Sequence, residues 1–125
     1  MKTAEQMVAE ARARIEEWDV DRLRGTPDAV VVDIRDVRER AKGHIPGSIH
    51  APRGMLEFWW DPQSPYHREV FAGEGPYVLH CAMGWRSALA AATLTEMGFK
   101  VAHLDGGMEA WIEAGGPVEM PEPKG

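Results

Sequence analysis

Tyr77-Val-Leu-His80-Cys81-Ala-Met-Gly84-Trp-Arg86, with the run behind it, Ser87-Ala-Leu-Ala-Ala-Ala-Thr-Leu-Thr-Glu-Met97, is the stretch whose reading decides the fold. Tyr77 to His80 favour a buried strand and lead straight into the only cysteine, while Ser87 to Met97 read as a helix closed by Gly98. Cys81 therefore sits where a strand turns into a helix N-terminus. Such a position favours an anionic sulfur, because a helix start offers unpaired N–H groups and the positive end of its dipole, and Arg86 adds a fixed cation. A lone cysteine is more commonly a buried, inert thiol. Its neighbours decide between the two.

Downstream, Phe99 to Leu104 reads as a further strand, Asp105-Gly-Gly107 as a turn, and Met108 to Ala114 as a helix anchored by Trp111 and stopped by Gly115-Gly-Pro117. Upstream, Ala29-Val-Val-Val-Asp33-Ile34 is a continuous β-branched run, the mark of a strand buried on both faces of a parallel sheet. Asp33 and Arg35 fall at its C-terminal end, where open parallel sheets collect ligands. One or two helical turns from Val37 to Lys42, a loop at Gly43-His44-Ile-Pro-Gly47 and a very short strand at Ser48 to His50 follow. Arg53 to Trp60 has helical spacing, and an irregular connection runs from Asp61 to Pro76 with one helical turn near His67 to Phe71. At the N-terminus, Val8, Ala11, Ile15 and Trp18 recur at steps of three and four, which predicts a single amphipathic helix from Thr3 to Trp18. Asp19 then caps a short helical turn ended by Gly25.

Strands and helices alternate, so the class is α/β. The expected organisation is an N-terminal helical extension packed on the domain (1–24), one domain (25–119), and a polar, proline-rich flexible tail (120–125). With 125 residues, 44% of them hydrophobic, the chain holds one core. A net charge of −6 argues against nucleic acid or an anionic membrane as partner. A single cysteine forms no intramolecular disulfide, and no apolar run approaches the roughly eighteen residues of a membrane span, so a cytoplasmic protein is expected. The five histidines, His44, His50, His67, His80 and His103, lack metal-ligand spacing, and no metal or cofactor is expected. His80 adjoins Cys81, but neighbours along a strand point to opposite faces, so a structural role is expected for it. His44 reads as a loop brace, and Asp33 with Arg35 as an ion pair near the site.

Three separated motifs carry a resemblance. Val-Val-Asp33-Ile-Arg35 is followed by Glu39 and then Gly43-His44-Ile-Pro-Gly-Ser48; Cys81-x-x-Gly84-x-Arg86-Ser87 forms a loop; and Gly106-Gly-Met-x-Ala-Trp111 precedes Gly115 and Pro117. In this order, from Ala29 to Glu119, they resemble the single-domain rhodanese family. The resemblance implies a three-layer fold, a mostly parallel sheet of about five short strands with helices on both faces. It also implies a sulfurtransferase in which Cys81 takes sulfane sulfur from thiosulfate or a persulfide or polysulfide donor and passes it to cyanide, a thiol or a protein acceptor. The loop residues Ala82, Met83, Gly84, Trp85 and Arg86 would bind substrate, with Asp33, Arg35 and His44 in support.

Four residues between Cys81 and Arg86 can curl so that successive N–H groups point at one sulfur, and Gly84 permits the curl. Phosphatase and arsenate-reductase cups place five residues there, one more than here. A non-catalytic persulfide carrier or regulatory binding module is the remaining alternative. Unlike efficient thiosulfate users, which often carry a second cation in the loop, this loop has Arg86 alone. Met83 and Trp85 read either as an apolar rim for a bulkier partner or as packing against Trp59 and Trp60. Either a monomer or a homodimer is compatible with the N-terminal helix and the Trp59-Trp60 pair as contact surfaces.

Overall fold

A computed structural model describes residues 1–121. Five strands, β1 (Glu16–Trp18), β2 (Val30–Asp33), β3 (Ile49–His50), β4 (Tyr77–His80) and β5 (Val101–Leu104), form one sheet in the order β1-β5-β4-β2-β3. All four pairings are parallel. The helices are α1 (Ala4–Arg12), α2 (Val20–Arg24), α3 (Val37–Arg40), α4 (Leu56–Trp60), α5 (Trp85–Glu96) and α6 (Gly107–Glu113). Arg53–Met55 and Glu69–Phe71 add single 3-10 turns, the latter within the predicted irregular connection.

Alternation along the strands divides the core. Tyr77, Leu79 and Cys81 face one side, where Leu56 and Trp60 of α4 and Ala90, Ala91 and Leu94 of α5 cover them. Val78, Ala102 and Leu104 face the other side and meet Leu23 of α2 and Met108 and Trp111 of α6. Helices thus cover both faces of a parallel α/β sheet, the expected architecture. Helix α5 comes close to its neighbours because its buried residues are mostly alanine, and Val8 and Ala11 of α1 rest directly on Ala88 and Ala92.

The expected helix from Thr3 to Trp18 is corrected. Thr3 and Gln6 close a capping box at its start, as a helix N-terminus requires, but α1 ends at Arg12. Residues 16–18 instead form the edge strand β1, in register with Ala102, His103 and Leu104. Pairing with a strand about 85 residues away overrides the helical spacing. Val8 and Ala11 do bury one helical face, whereas Trp18 lies on the opposite side of the sheet against Leu104. The segment 1–24, expected to be a helical extension packed on the domain, thus includes one strand of the sheet. Of the tail predicted at 120–125, residues 122–125 lie outside the described residues, and Met120 and Pro121 are exposed.

Candidate active site

β4 lies in the middle of the sheet, flanked by β5 and β2, so Cys81 leaves its C-terminal end with Asp33, Asp105 and Gly106 at the ends of neighbouring strands. The chain then rises through Ala82 and Met83 to Gly84, whose φ of +109° is open to glycine at little cost, and enters α5 at Trp85, two residues before the expected start. The resulting cup encloses the sulfur. Gly84 N–H donates to Cys81 Sγ at 3.1 Å and Ser87 N–H at 3.4 Å, and the thiol reaches Ser87 Oγ at 3.5 Å. Cys81 itself is 1% exposed.

Helix α6 locks the cup from behind. Its N-terminal amides donate to cup carbonyls, Met108 N–H to Cys81 O at 2.8 Å and Glu109 N–H to Ala82 O at 3.0 Å. Gly107 makes this approach sterically feasible: a Cβ there would stand 2.5 Å from Cys81 O and 2.8 Å from the Ala82 carbonyl.

Arg86 is paired with a carboxylate. Its two terminal nitrogens hold Glu39 at 2.7 and 2.9 Å, a bidentate pair that links α5 to α3. The pairing raises the Arg86 pKa further and, against the opposing effect of burial, holds the Glu39 carboxyl below the usual carboxylate range. The only cation of the loop is thus already paired with an anion. Met83 is 63% exposed and Trp85 51% exposed at the rim. Trp85 is not stacked on the other tryptophans: Trp60 packs with Phe71, Tyr77 and Phe99, and Trp59 lies under Arg68.

Asp33 and Arg35 pair as the sequence indicated. Arg35 Nε and Nη2 each lie 2.9 Å from the Asp33 carboxylate, and Arg40 adds a contact at 3.2 Å. Burial pushes the Asp33 carboxyl up, but the Arg35 hydrogen bonds override it and hold its pKa at about 2. Arg35 also donates to Gly43 O, and Arg40 to Ser48, so this network ties β2 to the loop around His44. The His44 backbone pairs with Glu119, and its Nδ1 is buried without a hydrogen-bond partner among the described residues. Its ring makes no hydrogen bond to the cup. His80, beside Asp33 in register, is fully buried, and burial pushes its pKa down despite the nearby Asp33 charge.

Two site residues had no motif to announce them. His103 of β5 is 1% exposed, and its Nδ1 lies 2.8 Å from Ser87 Oγ while its Nε2 lies 2.8 Å from Glu17 of β1. Glu17 is in turn held by Arg12 at 2.9 Å, and Arg12 reaches Asp105 at 3.3 Å. Burial acts to raise the Glu17 pKa, but hydrogen bonds from His103 and Arg12 leave it below the usual carboxylate range. A polar residue in the otherwise apolar Val101-Ala-His-Leu104 was the available signal.

Residues 9–114 match the family model of the rhodanese-like domain. A sulfurtransferase from Allochromatium vinosum is 35% identical over 102 residues, 81% of this chain and 88% of its own length. A thiosulfate sulfurtransferase, GlpE, from Ectopseudomonas mendocina is 40% identical over 84 residues, 66% of this chain and 70% of its own. Among solved structures, a Rhodopseudomonas palustris protein of unknown function, described as a possible tyrosine phosphatase, superposes with a TM-score of 0.89 at 48% identity, covering 95% of this chain and 96% of its own. With the family model spanning most of its length and a parallel sheet that delivers one cysteine into a sulfur-sized cup, the chain belongs to the rhodanese-like domain family.

Proposed function

We propose that the protein is a sulfurtransferase that carries sulfane sulfur as a Cys81 persulfide. The observation that supports this best is the cup: the four-residue spacer aims the Gly84 and Ser87 N–H groups at Sγ, at 3.1 and 3.4 Å. In the first half-reaction the Cys81 thiolate attacks the outer sulfur of the donor. With thiosulfate, the new Sγ–S bond forms as the S–S bond to the sulfonate breaks, and sulfite leaves with the electron pair. In the second, an acceptor thiolate or cyanide attacks that same outer sulfur, the persulfide bond breaks, and its electron pair returns to Cys81 as thiolate. Splitting the transfer through a covalent intermediate replaces one difficult step with two easier ones. The cup amides stabilise the anion at both stages.

The pairing of Arg86 with Glu39 and the uncharged Ala82, Met83 and Trp85 bear on the donor. A dianion finds no free cation in the loop, so we expect low thiosulfate:cyanide activity and better turnover with a thiol acceptor. Asp33, Arg35 and His44 act behind the cup in this reading, bracing the loop that carries Glu39 and α3. A reducing compartment such as the cytoplasm suits a thiol that must return to its free form after each cycle.

The deciding experiment is intact-mass analysis after incubation with thiosulfate or a polysulfide, on wild type and Cys81→Ser. Sulfurtransfer predicts a one-sulfur adduct on wild type alone that cyanide or a thiol removes catalytically. An adduct formed once without turnover favours the persulfide-carrier reading. Hydrolysis of an aryl phosphate with no sulfur adduct would replace both with phosphatase chemistry, the activity suggested for the Rhodopseudomonas palustris neighbour.

A further inference from the structure

Beneath the cup a line of polar side chains runs from the sulfur to the edge of the sheet. Cys81 Sγ lies 3.5 Å from Ser87 Oγ, which lies 2.8 Å from His103 Nδ1, and His103 Nε2 lies 2.8 Å from Glu17. Ser87 and His103 are 0% and 1% exposed. Burying a hydroxyl and an imidazole is costly unless each is satisfied; His103 is satisfied by its neighbours in the line, and the Ser87 hydroxyl has the Gly84 carbonyl at 3.4 Å as a longer alternative to His103 Nδ1 at 2.8 Å. Glu17, below the usual carboxylate range, is an acceptor and therefore takes the Nε2 proton. Nδ1 then bears the lone pair, accepts from the Ser87 hydroxyl, and leaves Ser87 Oγ to accept from the thiol.

We infer that Ser87, His103 and Glu17 form a buried proton relay for Cys81, with His103 as the resident base, Ser87 as the conduit and Glu17 as the group that fixes the imidazole tautomer. The inference rests on Cys81 being the nucleophile and adds the route by which its proton leaves. The thiol S–H bond breaks as its proton passes to Ser87 Oγ, while the Ser87 proton passes to Nδ1. The product is a thiolate and an imidazolium held by the Glu17 carboxylate, with no change in total charge and no co-reactant. The two hydrogen bonds made by the Ser87 hydroxyl reverse direction, while Nε2–H still donates to Glu17, so Ser87 O–H now points at the thiolate beside the Gly84 and Ser87 amides. When the persulfide is consumed, the same line returns the proton to the regenerated thiolate.

The charged and titratable groups around the line come from each element packed on it. Glu17 faces His103 from β1, and Arg12 of α1 holds Glu17 and reaches Asp105 beyond β5. Arg86 stands near the sulfur from α5 but is committed to Glu39 of α3. From β4, Leu79 is the residue in register with His103, and His80 turns its Nδ1 to Cys81 O. Among these, Glu17 is the anion in contact with the imidazole.

The test reads protons without any sulfur donor, so its failure and the failure of sulfurtransfer are distinguishable. Imidazole 15N spectra of His103 are followed against pH in wild type and in Cys81→Ser, whose hydroxyl does not ionise in the range. In parallel, thiolate absorbance is titrated in wild type and Glu17→Gln, with Cys81→Ser as the blank. The relay predicts an Nε2-protonated His103 at rest and a His103 titration that changes when Cys81 is replaced, since coupled sites titrate as a pair. It also predicts roughly tenfold less thiolate at neutral pH in Glu17→Gln. A resting Nδ1-protonated ring, superimposable His103 titrations in the two proteins, or coincident thiolate curves in a folded Glu17→Gln would overturn it. Should Glu17→Gln not fold, the comparison of wild type with Cys81→Ser decides alone.

Discussion

Met83 and Arg86 define what the mouth of the cup can attract. Arg86 is spent on Glu39, and Met83 projects into solvent on the same short loop. Replacing it with lysine adds a free positive charge at the rim without disturbing the cup amides. Met83→Lys is therefore expected to raise kcat/KM for thiosulfate roughly tenfold at low ionic strength, with the gain shrinking as salt is added. Steady-state cyanide assays across a salt series check this, and an unchanged kcat/KM would show that charge at the rim does not limit thiosulfate use.

Asp33 and His80 make acid sensitivity a second property legible at single residues. The unfolded chain binds a proton at His80 below about its ordinary pKa of 6.5, whereas the buried folded form resists it, so stability falls as pH drops below that value. Asp33 acts lower: its stabilisation is complete above its ordinary 3.8 and is lost as pH falls through about 2, a contribution of about 2 kcal/mol. Urea unfolding followed from pH 7 to 2 should show both declines, and His80→Asn should remove the first while leaving the part of the second that the Arg35 hydrogen bonds supply.

Among the elements, α6 and β1 are the ones whose placement matters most to the cup. A methyl group on Gly107 meets Cys81 O and Ala82, at a φ of +58°. Gly107→Ala is expected to destabilise by more than about 3 kcal/mol and to abolish persulfide formation. Gly98→Ala supplies the contrast, because its φ is +101° but nothing lies within 4 Å of the added carbon. The cost there is the left-handed backbone alone, about 1–2 kcal/mol, with persulfide formation intact. Urea denaturation and the mass assay on the two variants separate a clash from a backbone preference.

Much of this architecture was readable from local signals. β4 and α5 follow from a β-favouring run and an alanine-rich helix closed by Gly98, and the spacing from Cys81 to Arg86 already described a sulfur-sized cup. β1 was not readable, since Val8, Ala11, Ile15 and Trp18 keep helical steps while Glu16 to Trp18 are held by pairing with distant β5. The partner of Arg86 was visible only as a motif residue, Glu39, because the pair spans 47 positions. The link from Glu17 to His103 spans 86 positions and lies outside the motifs that carried the family resemblance. Short-range chemistry was visible in the sequence; chemistry assembled by sheet order was not.

At the scale of the whole molecule, the N-terminal segment is a structural part of the sheet. α1 covers α5 through Val8 and Ala11, and β1 supplies Trp18 to the core and Glu17 to the site. A chain beginning at Gly25 leaves the β5 edge unpaired and is expected to melt more than about 10 °C lower than the full chain. Thermal denaturation by circular dichroism checks it, and an equal Tm would make residues 1–24 a dispensable appendage.

The near-complete burial of Cys81 separates the empty and loaded proteins by what they present to solution. An S–S bond adds about 2 Å to the reach of the side chain. In the sulfurtransfer reading, loading therefore moves the reactive atom about that far beyond the floor of the cup, whose rim carries Met83 and Trp85. An acceptor meets reactive sulfur only when there is cargo to collect, and an unloaded molecule offers it an apolar rim with the thiol out of reach. In that reading, the presence or absence of a single atom tells an acceptor whether the cup is loaded.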